Sequence, residues 1–286
     1  MLFEKKQKRE PITMLTAYDY PLALLEDRAG IDIILVGDSL GMTVLGYDST
    51  LPVTMDVMVV HAQAVRRGAK YAFVIGDMPY MSYQISPAEA VRNAGRFMAE
   101  AGCDGVKLEG GAAMAPAVKA IVSAGIPVMG HLGITPQSMS MLGGFRSQGR
   151  SAEAALRIVK DADALFEAGI SMLLLEGVPP EVGKCISERL PIPVISIGAG
   201  PYCDGQLLIV HDALGFFDRF TPKFVKKYAD LSAVISAALE QYKQEVATKQ
   251  FPGPEHCYKM IPGEAQSFME EVAKLEPVKD AGGKVS

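Results

Sequence analysis

Eight short apolar runs alternate with segments of helical spacing along most of this chain, and no other feature limits the possible folds as strongly. The runs occupy residues 12–19, 32–39, 71–79, 105–111, 127–134, 171–178, 193–200 and 207–215. The first seven are nearly continuous in Val, Ile, Leu and Met, which is typical of strands buried on both faces of a parallel sheet, whereas the eighth is less regular. Eight strands with right-handed helical crossovers close most naturally into a single (β/α)8 TIM barrel, and a doubly wound open sheet is the alternative.

The segments between the runs carry the signals of helix starts and helix ends. Thr54, Ser86 and Ser151 each precede a helical pattern, where their hydroxyl groups can accept a hydrogen bond from an unpaired backbone amide. Glycine adopts the left-handed conformation that often ends a helix, and it follows alanine just ahead of a predicted strand at Gly30, Gly102, Gly125 and Gly169. These signals predict a helix before most of the strands.

The length of 286 residues suits one barrel, because α/β barrels commonly need about 250 residues. We expect residues 1–260 to form the barrel domain, including a C-terminal helix over 221–248, and residues 261–286 to form a C-terminal tail, with roughly 273–286 poorly ordered. Two Gly-rich loops, over 39–54 and 135–150, are long enough to cover an active site.

Charge and composition exclude several classes of function. The net charge of −5 provides no basic surface for nucleic acid and does not suit an anionic membrane. No run of about 18 apolar residues predicts a spanning helix, and the first ten residues lack the apolar stretch of a signal peptide. The four cysteines are scattered without a CxxC pair, which is typical of thiols in a reducing compartment. We therefore expect a cytoplasmic protein whose partners are small-molecule substrates.

Acidic side chains stand at the ends of several predicted strands, which is the functional face of a barrel. Asp38 and Asp77 follow neighbouring strands, whose backbones lie about 4.8 Å apart. Two buried carboxylates this close repel each other unless a proton or a cation lies between them, and a hard divalent ion fits best. The alternative is that each aspartate caps the loop that follows it.

Lys107, Glu109 and Glu176 extend this set to the fourth and sixth strands. Lys107 and Glu109 are two residues apart on one strand, so their side chains point to the same side. The pair can bind a substrate carboxylate and hold a water or the metal, or it can be a structural ion pair. Burial after Leu173–Leu175 would raise the pKa of Glu176, which suits a general base, although a buried Glu bonded to loop amides is also possible.

Four further residues have weaker signals or none. His131, in the segment GHLG, can bond a substrate oxygen or can be a satisfied core residue. Gly198 and Gly200 resemble a phosphate-binding loop near strands seven and eight, but glycine there can equally serve a tight turn. We expect His61 to lie on an outer helix without a catalytic role.

At these residues the chain resembles the ketopantoate hydroxymethyltransferase (3-methyl-2-oxobutanoate hydroxymethyltransferase) family, from about Ile12 to Tyr258. The motifs that carry the resemblance are TAYDYP, LVGDSLGM, DSTLPVTMD, VRRGA, VKLEGG, GHLGITPQS, GGFRSQGR, LLLEGVP and IGAGPYCDGQLLIVHD. By fold, the resemblance implies kinship with barrels of the phosphoenolpyruvate mutase and isocitrate lyase type.

The resemblance implies transfer of a hydroxymethyl group from 5,10-methylenetetrahydrofolate to 3-methyl-2-oxobutanoate, which gives 2-dehydropantoate in pantothenate synthesis. Asp38 and Asp77 would hold one Mg²⁺ per subunit, with Glu109 near or on the metal. The oxo acid would bind to Asp38, Ser39, Asp77 and Lys107, with His131 as a further candidate, and Glu176 would be the catalytic proton acceptor. The family also implies a homodecamer.

Two other classes of protein remain as alternatives. One is a metal-dependent aldolase or an oxo-acid lyase or mutase on a similar barrel, and the other is a non-catalytic barrel that serves as a binding protein or scaffold. A Schiff-base mechanism through Lys107 is disfavoured, because Glu109 should keep the amine charged.

Overall fold

The computed structural model describes residues 1–138, 147–217, 219 and 221–276. Within them, the strands are β1 (Ile12–Thr16), β2 (Ile33–Val36), β3 (Phe73–Asp77), β4 (Gly105–Glu109), β5 (Val128–Gly133), β6 (Met172–Glu176), β7 (Val194–Ile197) and β8 (Gly205–Leu208). Each strand pairs in parallel with the next, and β8 pairs with β1. The pairing of β8 with β1 closes the barrel and excludes the open sheet.

Helices follow most strands and pack against the outside of the barrel sheet. The helices of the described residues are α1 (Leu2–Lys8), α2 (Tyr20–Arg28), α3 (Leu40–Thr43), α4 (Met55–Gly68), α5 (Pro87–Ala99), α6 (Ala115–Ser123), α7 (Ala152–Glu167), α8 (Pro180–Arg189), α9 (Val210–Ala213), α10 (Leu231–Ala247) and α11 (Glu264–Val272). Short 3₁₀ turns cover Ala112–Met114, Pro136–Ser138 and Pro254–His256.

The predicted helix caps are confirmed. The hydroxyl groups of Thr54, Ser86 and Ser151 accept hydrogen bonds from backbone amides at 3.3, 3.2 and 3.2 Å, at the starts of α4, α5 and α7. Glycine follows the ends of the helices in the left-handed conformation, with φ of 78°, 68°, 85° and 103° at Gly30, Gly102, Gly125 and Gly169.

Apolar side chains fill the barrel on both sides of the sheet. Strand residues that point inward form one cluster, which includes Met14, Leu35, Ile75, Met129, Leu174 and Leu207, and residues that point outward form a larger cluster with the helices. This burial on both faces is the reason that the strands are apolar at nearly every position. Polar groups are consequently concentrated at the strand ends.

The eighth strand differs from its predicted range. The prediction covered 207–215, but the strand is Gly205–Leu208, and the next four residues, Val210–Ala213, form α9. Apolar residues continue from the strand into this helix, so hydrophobicity alone does not mark the boundary. The backbone amide of Val210 donates instead to the hydroxyl group of Thr16 at 3.1 Å, which ends the strand ladder.

The predicted helix over 221–248 begins ten residues late, at Leu231. The backbone amides of Tyr228, Leu231 and Ser232 donate to the carbonyl groups of Ala213, Leu214 and Gly215 at 2.7, 3.0 and 3.0 Å. Because these amides are paired with the last residue of α9 and the two residues after it, they are not available for a helix that continues from residues 221–230. The predicted start of this helix at residue 221 was wrong.

The chain divides into two compact units, Met1–Ser232 and Ala233–Ser286. The first contains the barrel, and the second contains most of α10 together with α11. The predicted tail over 261–286 includes the helix α11, while residues 277–286 lie outside the described residues.

Of the two predicted loops, the loop over 39–54 contains α3. Part of the loop over 135–150, residues 139–146, lies outside the described residues. Among the helices that the structure describes, none has the length and apolar character needed to span a membrane.

Candidate active site

Neighbouring strands bring the predicted acidic residues to one end of the barrel. Asp77 is the last residue of β3 and is in register with Lys107 on β4, and Glu109 at the end of β4 is in register with His131 on β5. Glu176 ends β6. Together with Asp38, which follows β2, these residues form one connected cluster at the C-terminal ends of five strands. The fold thus brings these side chains together at one end of the barrel, as their positions at the strand ends predicted.

Asp77 is held by two donors. Lys107 Nζ donates to Asp77 Oδ1 at 2.6 Å, and the backbone amide of Asp38 donates to Asp77 Oδ2 at 3.0 Å. Lys107 Nζ also lies 3.5 Å from Glu109 Oε1. The lysine therefore has its shorter contact with the neighbouring strand, and not with the glutamate two residues along its own strand.

Burial and neighbouring charges shift the pKa values of the carboxylates in this cluster. Burial raises the pKa of Asp38 well above its ordinary value, and the charges of Asp77 and Glu109 raise it further. Burial also raises the pKa of Asp77, although the Lys107 ammonium opposes this shift. Burial acts on Glu109 as well, but the ammonium of Lys107, the imidazole of His131 and the backbone amide of Gln137 together outweigh burial and lower the pKa of that carboxyl. Asp38 is thus the carboxylate that most lacks a positive partner.

His131 lies between two carboxylates. Its Nδ1 is 3.4 Å from Glu109 Oε1, and its Nε2 is 3.2 Å from Glu176 Oε2. Neither contact has the alignment of a hydrogen bond, so both ring nitrogens are buried without a well-formed partner among the described residues. Burial and the Lys107 ammonium lower the pKa of His131, but the two carboxylates raise it more, to about 9. The two carboxylates thus favour the charged form of the imidazole, which lies between Glu109 and Glu176.

Two residues that the sequence analysis did not assign, Gln137 and Tyr83, join the cluster. Gln137 Nε2 donates to Asp38 Oδ2 at 2.9 Å, and the backbone amide of Gln137 donates to Glu109 Oε2 at 3.0 Å. The hydroxyl group of Tyr83 donates to Gln137 Oε1 at 2.7 Å. Gln137 belongs to the motif GHLGITPQS, in which only the histidine had been singled out. Tyr83 has no comparable sequence signal.

Ser39 lies beside the cluster at the start of α3. Its hydroxyl group is 2.8 Å from the hydroxyl group of Tyr18, which follows β1. Tyr18 also packs against the ring of His211 on α9, with ring centroids 5.2 Å apart. Aromatic residues from the ends of β1 and β8 thus border the side of the site on which Ser39 lies.

The remaining candidates have structural explanations. A side chain at Gly198 would collide with Phe224, and one at Gly200 would collide with Pro180. Both glycines have positive φ, so the turn interpretation accounts for them. His61 lies on the outer helix α4, as expected, and its Nδ1 is 2.6 Å from the backbone oxygen of Tyr18.

The cluster fits a hard divalent cation by ligand type and charge. Asp38, Asp77 and Glu109 offer oxygen ligands of the kind that Mg²⁺ prefers. With Glu176 the cluster has four carboxyl groups but only two basic side chains, Lys107 and His131, so an added cation would find an excess of acidic partners. In the described part of the chain no three such groups are arranged as a ready-made metal site. Contacts with Lys107 and Gln137 occupy the carboxylate oxygens instead.

The fold is similar to that of solved structures from the phosphoenolpyruvate mutase and isocitrate lyase superfamily. A phosphonopyruvate hydrolase solved with oxalate and Mg²⁺ has a TM-score of 0.59 and 13% sequence identity, with 95% of each chain covered. A 2,3-dimethylmalate lyase of that superfamily has a TM-score of 0.56 and 16% identity, with 95% of this chain and 96% of the other covered. At such low identity the likeness concerns the fold alone.

Sequence comparison is more specific. Residues 1–254 match the family model described as ketopantoate hydroxymethyltransferase. The 3-methyl-2-oxobutanoate hydroxymethyltransferase of Syntrophomonas wolfei is 57% identical over 258 residues, which cover 90% of this chain and 94% of that protein. The enzyme of the same name from Moorella thermoacetica is 59% identical over 254 residues, with 89% and 94% covered. The chain belongs to the ketopantoate hydroxymethyltransferase family.

Proposed function

We propose that this chain transfers a hydroxymethyl group from 5,10-methylenetetrahydrofolate to 3-methyl-2-oxobutanoate and so forms 2-dehydropantoate. The observation that carries the proposal is the buried cluster at the barrel mouth, in which Lys107 lies among Asp77, Glu109 and Asp38, and Glu176 lies at the edge. Such a cluster can bind an anionic oxo acid and remove a proton beside its ketone. The family and its named relatives support the choice of substrates.

In this proposal Asp38 and Asp77 hold one Mg²⁺ per subunit, with Glu109 on or near the ion. When bound, the ion supplies Lewis-acid stabilisation of the negative charge that develops on the keto oxygen. The burial of Asp38 beside the carboxylates of Asp77 and Glu109 supports this assignment, because a cation would relieve their mutual repulsion.

Lys107 and Ser39 bind the oxo acid. Burial lowers the pKa of Lys107, but the carboxylates of Asp77, Glu109 and Asp38 raise it more, so the amine stays charged and can attract the substrate carboxylate. A charged amine is not a nucleophile, which argues against a Schiff base. Ser39 has a hydroxyl group that can donate to a substrate oxygen while it accepts from Tyr18.

Glu176 acts as the base. The C3 proton of the oxo acid is weakly acidic because the neighbouring ketone can delocalise the charge that its removal leaves. Glu176 removes that proton, and C3 then forms a bond to the one-carbon unit. That carbon leaves the nitrogen atoms of the folate and takes its hydroxyl group from water, so tetrahydrofolate is the second product. The side chain of Glu176 is 14% exposed, whereas that of its neighbour His131 is 2% exposed. This greater accessibility suits a group that meets a substrate. His131, 3.2 Å from Glu176, stabilises the ionised carboxylate before the proton moves.

The test is exchange of the C3 proton of 3-methyl-2-oxobutanoate with deuterated water, followed by NMR. Glu176→Gln should slow exchange by about 10²- to 10⁴-fold, the usual contribution of a positioned base, while the affinity for the oxo acid changes little. Glu181→Gln, which alters an exposed carboxylate on α8, is the control and should exchange normally. Exchange at the wild-type rate in Glu176→Gln would remove Glu176 from this role.

The same assay separates the transferase from a lyase or mutase on a similar barrel. Proton exchange needs only the oxo acid, whereas net product formation by the transferase needs methylenetetrahydrofolate as well. Conversion of the oxo acid to another product without folate would favour the lyase.

The family resemblance also leads us to propose a cytoplasmic homodecamer. Sedimentation would test the oligomeric state through the mass of the assembly.

A further inference from the structure

Gln137 contacts more parts of the candidate site than its place in the sequence would suggest. It lies just after β5 and is 5% exposed. One hydrogen of its Nε2 binds Asp38 Oδ2, and the other binds the backbone oxygen of Met78, both at 2.9 Å. Its backbone amide binds Glu109 at 3.0 Å. One residue therefore connects the ends of β2, β3 and β4 with the end of β5.

The other end of the amide is equally well bound. Gln137 Oε1 accepts from the Tyr83 hydroxyl group at 2.7 Å and from Gln84 Nε2 at 3.2 Å. Tyr83 in turn accepts from the backbone amide of Glu109 at 3.1 Å. If the amide were turned over, its oxygen would face the Asp38 carboxylate and a carbonyl group, so only one orientation satisfies every partner.

We propose that Gln137 is a positioning residue for the metal ligands, and that Tyr83 keeps its amide in the orientation that this role needs. Gln137 binds Asp38 through its side chain and Glu109 through its main chain, so it holds two carboxylates of the proposed Mg²⁺ site in fixed relation. The inference rests on the proposed function, because it assumes that these carboxylates bind the ion. Groups that orient metal ligands in this way commonly contribute about 10- to 100-fold to metal affinity.

The neutral charge of glutamine matters for this role. A lysine or arginine at position 137 could also donate to Asp38, but its positive charge would compete with the cation for the carboxylates. A glutamate would present an acceptor to the acceptor oxygen of Asp38 and would add to the repulsion among the buried carboxylates. An amide donates to Asp38 without changing the net charge of the cluster.

The experiment is calorimetric titration of the full chain with Mg²⁺ alone, in the wild type and two variants. Gln137→Met keeps the length of the side chain but removes its hydrogen bonds, and it should weaken Mg²⁺ binding by about 10- to 100-fold. Tyr83→Phe removes a single hydroxyl group and should weaken binding by about fivefold, as expected for one hydrogen bond. In both variants the KM for the oxo acid should rise.

Matched controls are available in the same fold. Gln206→Met alters an exposed glutamine on β8, and Tyr80→Phe alters a tyrosine that is 43% exposed in the same loop as Tyr83. Both should bind Mg²⁺ with wild-type affinity. A merely structural role of Gln137 would lower the melting temperature and leave the affinity of the folded variants unchanged.

The outcomes separate this inference from the proposed function. A wild type that does not bind Mg²⁺ contradicts the proposed function, and the inference with it. A wild type that binds Mg²⁺, with equal affinity in folded Gln137→Met and Tyr83→Phe, overturns the positioning role alone. If Gln137→Met does not fold, Tyr83→Phe decides, because unchanged affinity there also overturns the inference.

Discussion

Glu26 is a buried carboxylic acid outside the candidate site. It lies on α2 and is 5% exposed, and neither oxygen of its side chain has a hydrogen-bond partner among the described residues. Burial raises its pKa from 4.5 to about 8, and the charge of Asp19 adds to the shift. The folded state therefore favours the protonated acid, whereas an unfolded chain ionises near its ordinary pKa.

The sign of the resulting pH dependence follows from this difference. Because the folded pKa lies above the unfolded pKa, the unfolded state loses its proton first as the pH rises, and the free energy of unfolding falls between pH 4.5 and about 8. The contribution of Glu26 alone should be a loss of about 3 kcal/mol between pH 4 and pH 7. Glu26→Gln should remove this part of the slope.

The measurement is the free energy of unfolding by urea, for the wild type and Glu26→Gln, at pH 5, 6, 7 and 8. The free energy of unfolding of Glu26→Gln should increase steadily relative to that of the wild type as the pH rises, whatever the difference between them at pH 5. Glu4→Gln, at an exposed site on α1, should give a constant difference. Parallel curves for Glu26→Gln and the wild type would contradict the raised pKa.

At this scale the sequence predicted most of the candidate site, but not the partners of each residue. The strand-end positions of Asp38, Asp77, Lys107, Glu109, His131 and Glu176 follow from the pattern of apolar runs. The pairing of Lys107 with Asp77 depends on the register between β3 and β4, which no local pattern specifies. Gln137 and Tyr83 were missed because their role exists only where separate loops meet.

Among the elements, α1 closes the N-terminal end of the barrel. Its Leu2 is 8% exposed and packs in the cluster that fills the barrel interior. Lys5 and Lys6 form ion pairs of 2.6 Å with Asp32 and Asp204, at the starts of β2 and β8. The helix is thus attached both by an apolar side chain and by charges.

Leu2→Ala should lower the free energy of unfolding by about 2 kcal/mol, the low end of the usual cost of removing a buried leucine, because a terminal helix can partly adjust. Phe3→Ala is the control, since Phe3 is 48% exposed on the same helix, and should change stability by less than about 0.5 kcal/mol. Urea unfolding of both variants gives the comparison. Equal effects of the two substitutions would show that α1 does not depend on Leu2.

The errors in predicting elements have one physical origin. Strands β1 to β7 and the helix caps were predictable because each depends on nearby residues. The end of β8 and the start of α10 were not predictable, because both depend on hydrogen bonds between segments that are far apart in the sequence. Val210 donates to Thr16, and Tyr228 donates to Ala213.

For the whole molecule, the proposed metal site links ligand binding to stability. An ion that binds only the folded state stabilises it in proportion to the logarithm of its concentration, by about 2.7 kcal/mol at 100 times its dissociation constant. Mg²⁺ should therefore raise the melting temperature of the wild type, and a chelator should reverse the rise.

Thermal unfolding of the wild type and Asp38→Asn, with and without Mg²⁺, checks this expectation. Asp38→Asn removes one proposed ligand and its unfavourable charge, so the variant should be at least as stable as the wild type without metal and should gain little when Mg²⁺ is added. A shift as large as that of the wild type would exclude Asp38 as a ligand.

The amino-acid sequence by itself determined the class of the fold and the set of chemical groups at the barrel mouth. Periodic burial and helix caps are local properties, and a strand end in a barrel always faces the same side. The tertiary structure alone decided which of those groups are paired, with Lys107 on Asp77, Gln137 on Asp38, and His131 between Glu109 and Glu176. These contacts join side chains from different strands and loops, and their distances depend on barrel closure and register, which only the folded chain as a whole can establish.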